Sequence, residues 1–240
     1  MSIQTRLIDY ADGDKVLEGQ LAWDDSIDGS RPGVMVCHAW GGRSEFENDK
    51  AIELAKLGYA GFALDLYGKG VLGSGPEENS VLMQPFLDDR PMLQQRLLLS
   101  LQTMREQPEV DPSSTAAIGF CFGGLCVLDI ARTGEDLDGV VSLHGLFSSP
   151  GNTTANTIKA KILALHGWDD PMAPPDAVVA LAEELTSMGA DWQLHGFGNT
   201  MHAFTNPQAN DPDFGTVYSD SADRRSRVAL QNFLAELFGA

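Results

Sequence analysis

Apolar and polar residues alternate over residues 3–10 and again over 15–23 (KVLEGQLAW), with an Asp-Gly turn between. A period of two on either side of such a turn predicts an antiparallel hairpin with one buried face. From residue 33 the pattern changes. GVMVCHA at 33–39, YAGFALDL at 59–66, TAAIGF at 115–120, DGVVSLHG at 138–145 and AKILALHG at 160–167 are nearly continuous apolar runs, the mark of strands covered on both faces. ADWQLHGF at 190–197 reads as the last strand. Helical spacing appears over 48–57, which stops at Gly58, over 123–132, and over 175–188, which has Pro at its start and Gly189 just past its end. In the tail, 221–238, Leu230, Phe233, Leu234, Leu237 and Phe238 share one helical face. Residues 67–79 are Gly-rich and predict a loop, and helical stretches over 80–106 are expected to break at Pro85 and Pro91.

Strands alternating with helices predict an α/β protein with a mostly parallel, doubly wound sheet and an N-terminal antiparallel hairpin. No internal repeat or low-complexity tract interrupts it, so 1–240 reads as a single domain. In such sheets ligands bind at the carboxyl ends of strands. His38, Cys121, His144, Asp170 and His202 all fall just past a predicted strand end.

Composition narrows the partners. The formal net charge of -18 repels phosphate backbones and anionic lipid, which argues against nucleic acid and membrane surfaces. The first residues have no apolar core of a signal peptide, and no apolar run approaches a membrane span. Cys37, Cys121 and Cys126 are too few and too scattered for a disulfide framework. Together these predict a cytoplasmic enzyme with reduced thiols. The five histidines show no HxxxH or HExxH spacing, so no metal site is expected.

The segment Gly119-Phe120-Cys121-Phe122-Gly123-Gly124 sits between a predicted strand and a predicted helix. That is the context in which a G-x-S-x-G pattern forms a nucleophile elbow, here with cysteine as the nucleophile. The helix N-terminus favours a thiolate there. Gly-x-Cys-x-Gly also arises by chance, and a free cysteine is more often a small buried hydrophobe, the reading adopted for Cys37 and Cys126. The Phe122 amide is placed to donate to an oxyanion, and the loop His38-Ala39-Trp40-Gly41-Gly42 suggests the Ala39 amide as a second donor. The order nucleophile, acid, histidine selects His202 as base and an aspartate in LHGWDDP as its orienter. Asp170, three residues past Gly167, is preferred, with Asp169 as the runner-up. His38 and His144 either line the site or are hydrogen-bonded structural histidines, and His166 and His195 read as structural. Trp40, Phe122, Trp168 and Phe204 either wall an apolar acyl pocket or pack the core.

These segments, GVMVCHAWGG, DLYG at 65–68, GFCFGG, LHGWDDP and MHAFTNP at 201–207, resemble in order and spacing the dienelactone hydrolase family of α/β-hydrolases, over nearly the whole chain. The resemblance implies a compact domain without a large cap, no cofactor or metal, and a Cys-Asp-His triad falling on Cys121, Asp170 and His202. It implies a small-molecule ester or lactone substrate and a monomer or weak homodimer. Two positions depart from dienelactone-cleaving relatives: His38 stands where they carry a glutamate, and Asn206 where they carry a substrate-binding arginine. A guanidinium fork holds a carboxylate in a way an amide does not. An ester, lactone or thioester without a carboxylate is therefore the expected substrate, cleaved through a thioester intermediate. The alternatives are an acyltransferase on the same fold and a non-catalytic thiol protein that binds a ligand or senses redox state.

Overall fold

The computed structural model describes residues 2–239. The chain divides into two compact units between Ile118 and Gly119. In the first, β1 (Ile3–Asp12) and β2 (Lys15–Asp24) form the expected hairpin, in register from Ile3 opposite Asp24 to Asp12 opposite Lys15. The two-residue turn holds Gly13 at φ 58°, a left-handed conformation that glycine adopts without strain. β3 (Arg31–Cys37) is followed by α1 (Glu45–Lys56) and β4 (Ala60–Ala63). β2 pairs antiparallel with β4, and β4 pairs parallel with β3. α1 begins earlier than its apolar spacing implies because Ser44 and Glu47 cap it reciprocally. Two more helices follow, α2 (Pro76–Asp88) and α3 (Arg90–Arg105).

β5 (Val110–Phe120) is the last strand in the first unit's order, β1-β2-β4-β3-β5. The second unit continues with α4 (Phe122–Arg132), β6 (Gly139–Leu143), β7 (Lys161–Gly167), α5 (Pro175–Ser187) and β8 (Trp192–Phe197). Its strand order is β6-β7-β8, all parallel. A small hairpin of β9 (Asn210–Asp211) and β10 (Thr216–Val217) precedes α6 (Asp220–Phe238). The fold is thus mixed α/β, mostly parallel, with antiparallel N-terminal strands. α6 packs on β6 and β7, and its buried Phe233 and Leu234 each contribute about 1.5–3 kcal/mol.

The helical prolines behave differently from expectation. α2 runs through Pro85 instead of breaking there. The carbonyl that Pro85 cannot serve belongs to Val81, on the exposed side of the helix, where water is an alternative partner. Pro91 lies in the first turn of α3, where no intrahelical bond is lost, and Asp89 caps that turn by accepting from the Met92 amide. The Gly-rich loop ends at residue 75 because Pro76 opens α2.

Candidate active site

Cys121 is the residue between β5 and α4, with φ 56° and ψ -116°. A non-glycine residue in this region costs on the order of 1–3 kcal/mol and persists only where its surroundings hold it. Two acceptors hold its amide: Leu143 O at 3.1 Å and His144 Nδ1 at 3.2 Å. The flanking glycines permit the turn. A methyl at Gly119 would overlap the Gly123 carbonyl, and one at Gly124 would sit 2.6 Å from Gly145 Cα. Cys121 is half-buried, whereas Cys37 and Cys126 are buried, and burial pushes the Cys37 thiol up. Phe122, the first residue of α4, is buried.

Asp170 follows β7. Its amide donates to Gly167 O at 3.2 Å, which turns the side chain inward, where it is buried. One carboxylate oxygen accepts from the Met172 amide at 2.8 Å, and the other meets His202 Nδ1 at 2.7 Å. Asp169 is exposed, with its amide on Thr200 O. Of the two aspartates, Asp170 is the one that reaches the histidine.

His202 is fixed through its backbone by the small hairpin. Its amide donates to Gly215 O, and its carbonyl accepts from Val217 N, both at 3.0 Å. The ring is buried, and burial by itself opposes its charge. The charge of the Cys121 sulfur, then the Asp170 hydrogen bond, outweigh burial and raise its pKa to about 10. Beyond the Cys121 sulfur, whose charge and hydrogen bond both raise the pKa, Nε2 has no hydrogen-bond partner among the described residues.

His144 lies beneath Cys121 and does not line a surface. It is buried, at φ 39°, with Nε2 2.8 Å from Thr205 Oγ1 and its ring edge-on to those of His202 and Phe204, 5.1 Å from each. Phe204 is wholly buried, between His144 and Phe197, so it is core and not pocket wall. Trp168 is 44% exposed, with its amide on Phe197 O. Asn206 is half-buried, and its side-chain oxygen caps the Gln208 amide at 3.0 Å.

In the first unit, His38 is fully buried. Nε2 accepts from the Leu66 amide at 3.2 Å, and Nδ1 therefore carries the proton that Ala39 O accepts at 2.6 Å. Burial lowers its pKa, so it is a neutral structural histidine. The Ala39 amide, expected to face an oxyanion, donates to the buried Glu47 carboxylate at 3.2 Å, while the other Glu47 oxygen takes the Ser44 amide and hydroxyl. Trp40 is half-buried, and its carbonyl accepts from Tyr67 Oη. Sequence reasoning missed Glu47 and Thr205. The spacing Ser44-x-x-Glu47 is a capping-box signature and was a readable signal for Glu47, whereas nothing marks Thr205. Among the described residues no three His, Cys, Asp or Glu side chains gather as a metal site, and no helix is long and apolar enough to cross a membrane.

A half-buried cysteine lies on a strained strand–helix turn and a buried Asp–His pair on later loops, in a fold of the α/β-hydrolase type. Residues 17–238 match the dienelactone hydrolase family, and the chain belongs to it; it is a carboxylic ester hydrolase. A dienelactone hydrolase-like promiscuous phosphotriesterase from metagenomic libraries has a similar structure, at TM-score 0.92 and 35% identity, over 99% of this chain and 100% of that one. A protein of Bradyrhizobium described as a probable 2-oxo-3-(5-oxofuran-2-ylidene)propanoate lactonase is 24% identical over 85% of this chain and 86% of its own length. An uncharacterized protein of Caenorhabditis elegans is 32% identical over 63% of this chain and 98% of its own.

Proposed function

We propose that the chain hydrolyses a carboxylic ester or lactone through Cys121, His202 and Asp170. The observation that supports this most is the buried 2.7 Å Asp170–His202 contact, with the far side of the ring under the influence of the Cys121 sulfur. The Cys121 thiolate forms a bond to the acyl carbon. The Phe122 amide stabilises the oxyanion, a contribution worth on the order of 10²–10³ in rate. The C–O bond breaks, and the leaving oxygen takes the proton of the His202 imidazolium. Water then attacks the thioester and gives a proton to His202, and the thiolate departs to regenerate the resting pair. Asp170 holds the imidazole in the productive tautomer throughout. The Ala39 amide is engaged by Glu47 and has no part in this scheme.

Asn206 is spent on its own turn and offers no cationic fork, so a neutral ester or lactone is preferred to one bearing a carboxylate. The metagenomic relative, described as a promiscuous phosphotriesterase, makes a phosphotriester the second substrate to assay.

Hydrolysis of p-nitrophenyl acetate by wild type and by Cys121→Ala tests the reading. Turnover by wild type and loss of about 10³-fold or more in the variant is expected. Equal rates in the two proteins would remove Cys121 from the mechanism.

A further inference from the structure

We infer that His144 is a positioning residue that ties the Cys121 backbone to the segment carrying His202, accepting from the Cys121 amide through Nδ1 and donating to Thr205 Oγ1 through Nε2. The inference rests on the proposed nucleophile and base, and concerns what sets their spacing.

The tautomer is dictated by the partners. A backbone amide can only donate, so Nδ1 facing Cys121 N at 3.2 Å is bare, and the proton lies on Nε2. Thr205, buried and three residues past His202, receives that proton at 2.8 Å. The ring therefore spans two loops far apart in sequence, joining Cys121 to Thr205, that carry the nucleophile and the base. A doubly protonated ring would set an N–H against the Cys121 N–H and break the tie. Burial, and then the neighbouring His202 charge, hold the pKa of His144 well below 6.5, which keeps it neutral. The His144 amide is anchored on Leu165 O at 2.8 Å, so the tie is fixed to β7 as well.

Cys121 needs such a support. Its left-handed backbone has its amide held, among the described residues, by two acceptors, the Leu143 carbonyl and this ring. Removing one lets the sulfur shift relative to His202, and misplacement on the scale of 1 Å costs on the order of 100-fold in rate.

The two ends of the ring can be tested separately. Asparagine sets an amide oxygen near the place of Nδ1, and glutamine an amide nitrogen near the place of Nε2. His144→Gln, His144→Asn and Thr205→Val are compared with wild type for p-nitrophenyl acetate hydrolysis and for alkylation by iodoacetamide across pH. Alkylation reads Cys121, since Cys37 and Cys126 are buried. His144→Gln is expected to lower kcat by about 10–100-fold with KM within about two-fold. It should also raise the alkylation midpoint by about half a pH unit or more, because the thiolate loses its well-placed imidazolium. His144→Asn, which keeps the Cys121 acceptor, should lose less than about ten-fold. Lower melting temperatures with no movement of the alkylation midpoint would mean a merely structural role and overturn the inference, as would a His144→Gln kcat within two-fold of wild type. If His144→Gln does not fold, Thr205→Val decides: a shifted midpoint with reduced kcat supports the tie, and an unchanged profile overturns it. Cys121→Ala at wild-type rate would overturn both readings, whereas inactive Cys121→Ala beside fully active His144→Gln would overturn only this one.

Discussion

Asp169 and Asp170 are neighbours with opposite environments, one exposed and one buried against His202. The difference comes from backbone direction: Asp170 N turns back to Gly167 O while Asp169 N reaches across to Thr200 O. Asp170→Asn leaves the shape intact but puts the wrong donor pattern against Nδ1. We expect kcat to fall by about 10²–10⁴-fold, with Asp169→Asn within about two-fold of wild type in the same ester assay. Equal losses at the two positions would contradict the assignment. The proposed nucleophile and base, Cys121 and His202, stand out in the sequence because glycine spacing and chain order mark them. The choice between the aspartates rested on an offset, since a turn's direction depends on hydrogen bonds that spacing does not encode. His38 and His144 were ambiguous for a similar reason. Each sits at a strand end, as a site residue would, and only its partners show it to be buried and neutral.

The strands and most helices were legible as elements, because continuous apolar runs and 3.6-residue spacing are strong signals. What escaped was the β9–β10 hairpin that holds His202, whose two-residue strands are too short to carry a period. Pro85 misled because the rule against helical proline ignores whether water can serve the orphaned carbonyl. Close packing between elements is also local and testable. At Gly61 on β4 a methyl would overlap the Ala51 backbone of α1. Gly61→Ala should therefore destabilise by about 1–3 kcal/mol or more in urea unfolding, since backbone cannot swing aside as a side chain does. A change under about 0.5 kcal/mol would show that α1 moves freely on the sheet.

For the whole molecule, the charge of -18 bears on solubility, while stability against pH turns on the buried histidines. Burial lowers the pKa of His38, His144 and His166 below 6.5. Below that value the unfolded chain binds protons these rings refuse, so stability falls with acid, by up to about 1.4 kcal/mol per pH unit for each ring. His202 has the opposite sign. Its pKa is raised to about 10, so its contribution is complete below 6.5 and is lost between there and about 10. Urea midpoints should therefore peak near neutrality and drop towards about pH 5, whereas a flat acid limb would mean that these rings are protonated in the folded state. The central claim concerns a covalent bond, and mass spectrometry reads it most directly. Wild-type enzyme mixed with p-nitrophenyl acetate and quenched in acid within the first turnovers should carry one acetyl group on the peptide containing Cys121, absent in Cys121→Ala. Product release with no acylated Cys121 peptide, or an acetyl group that persists on another residue of the variant with turnover retained, would contradict it.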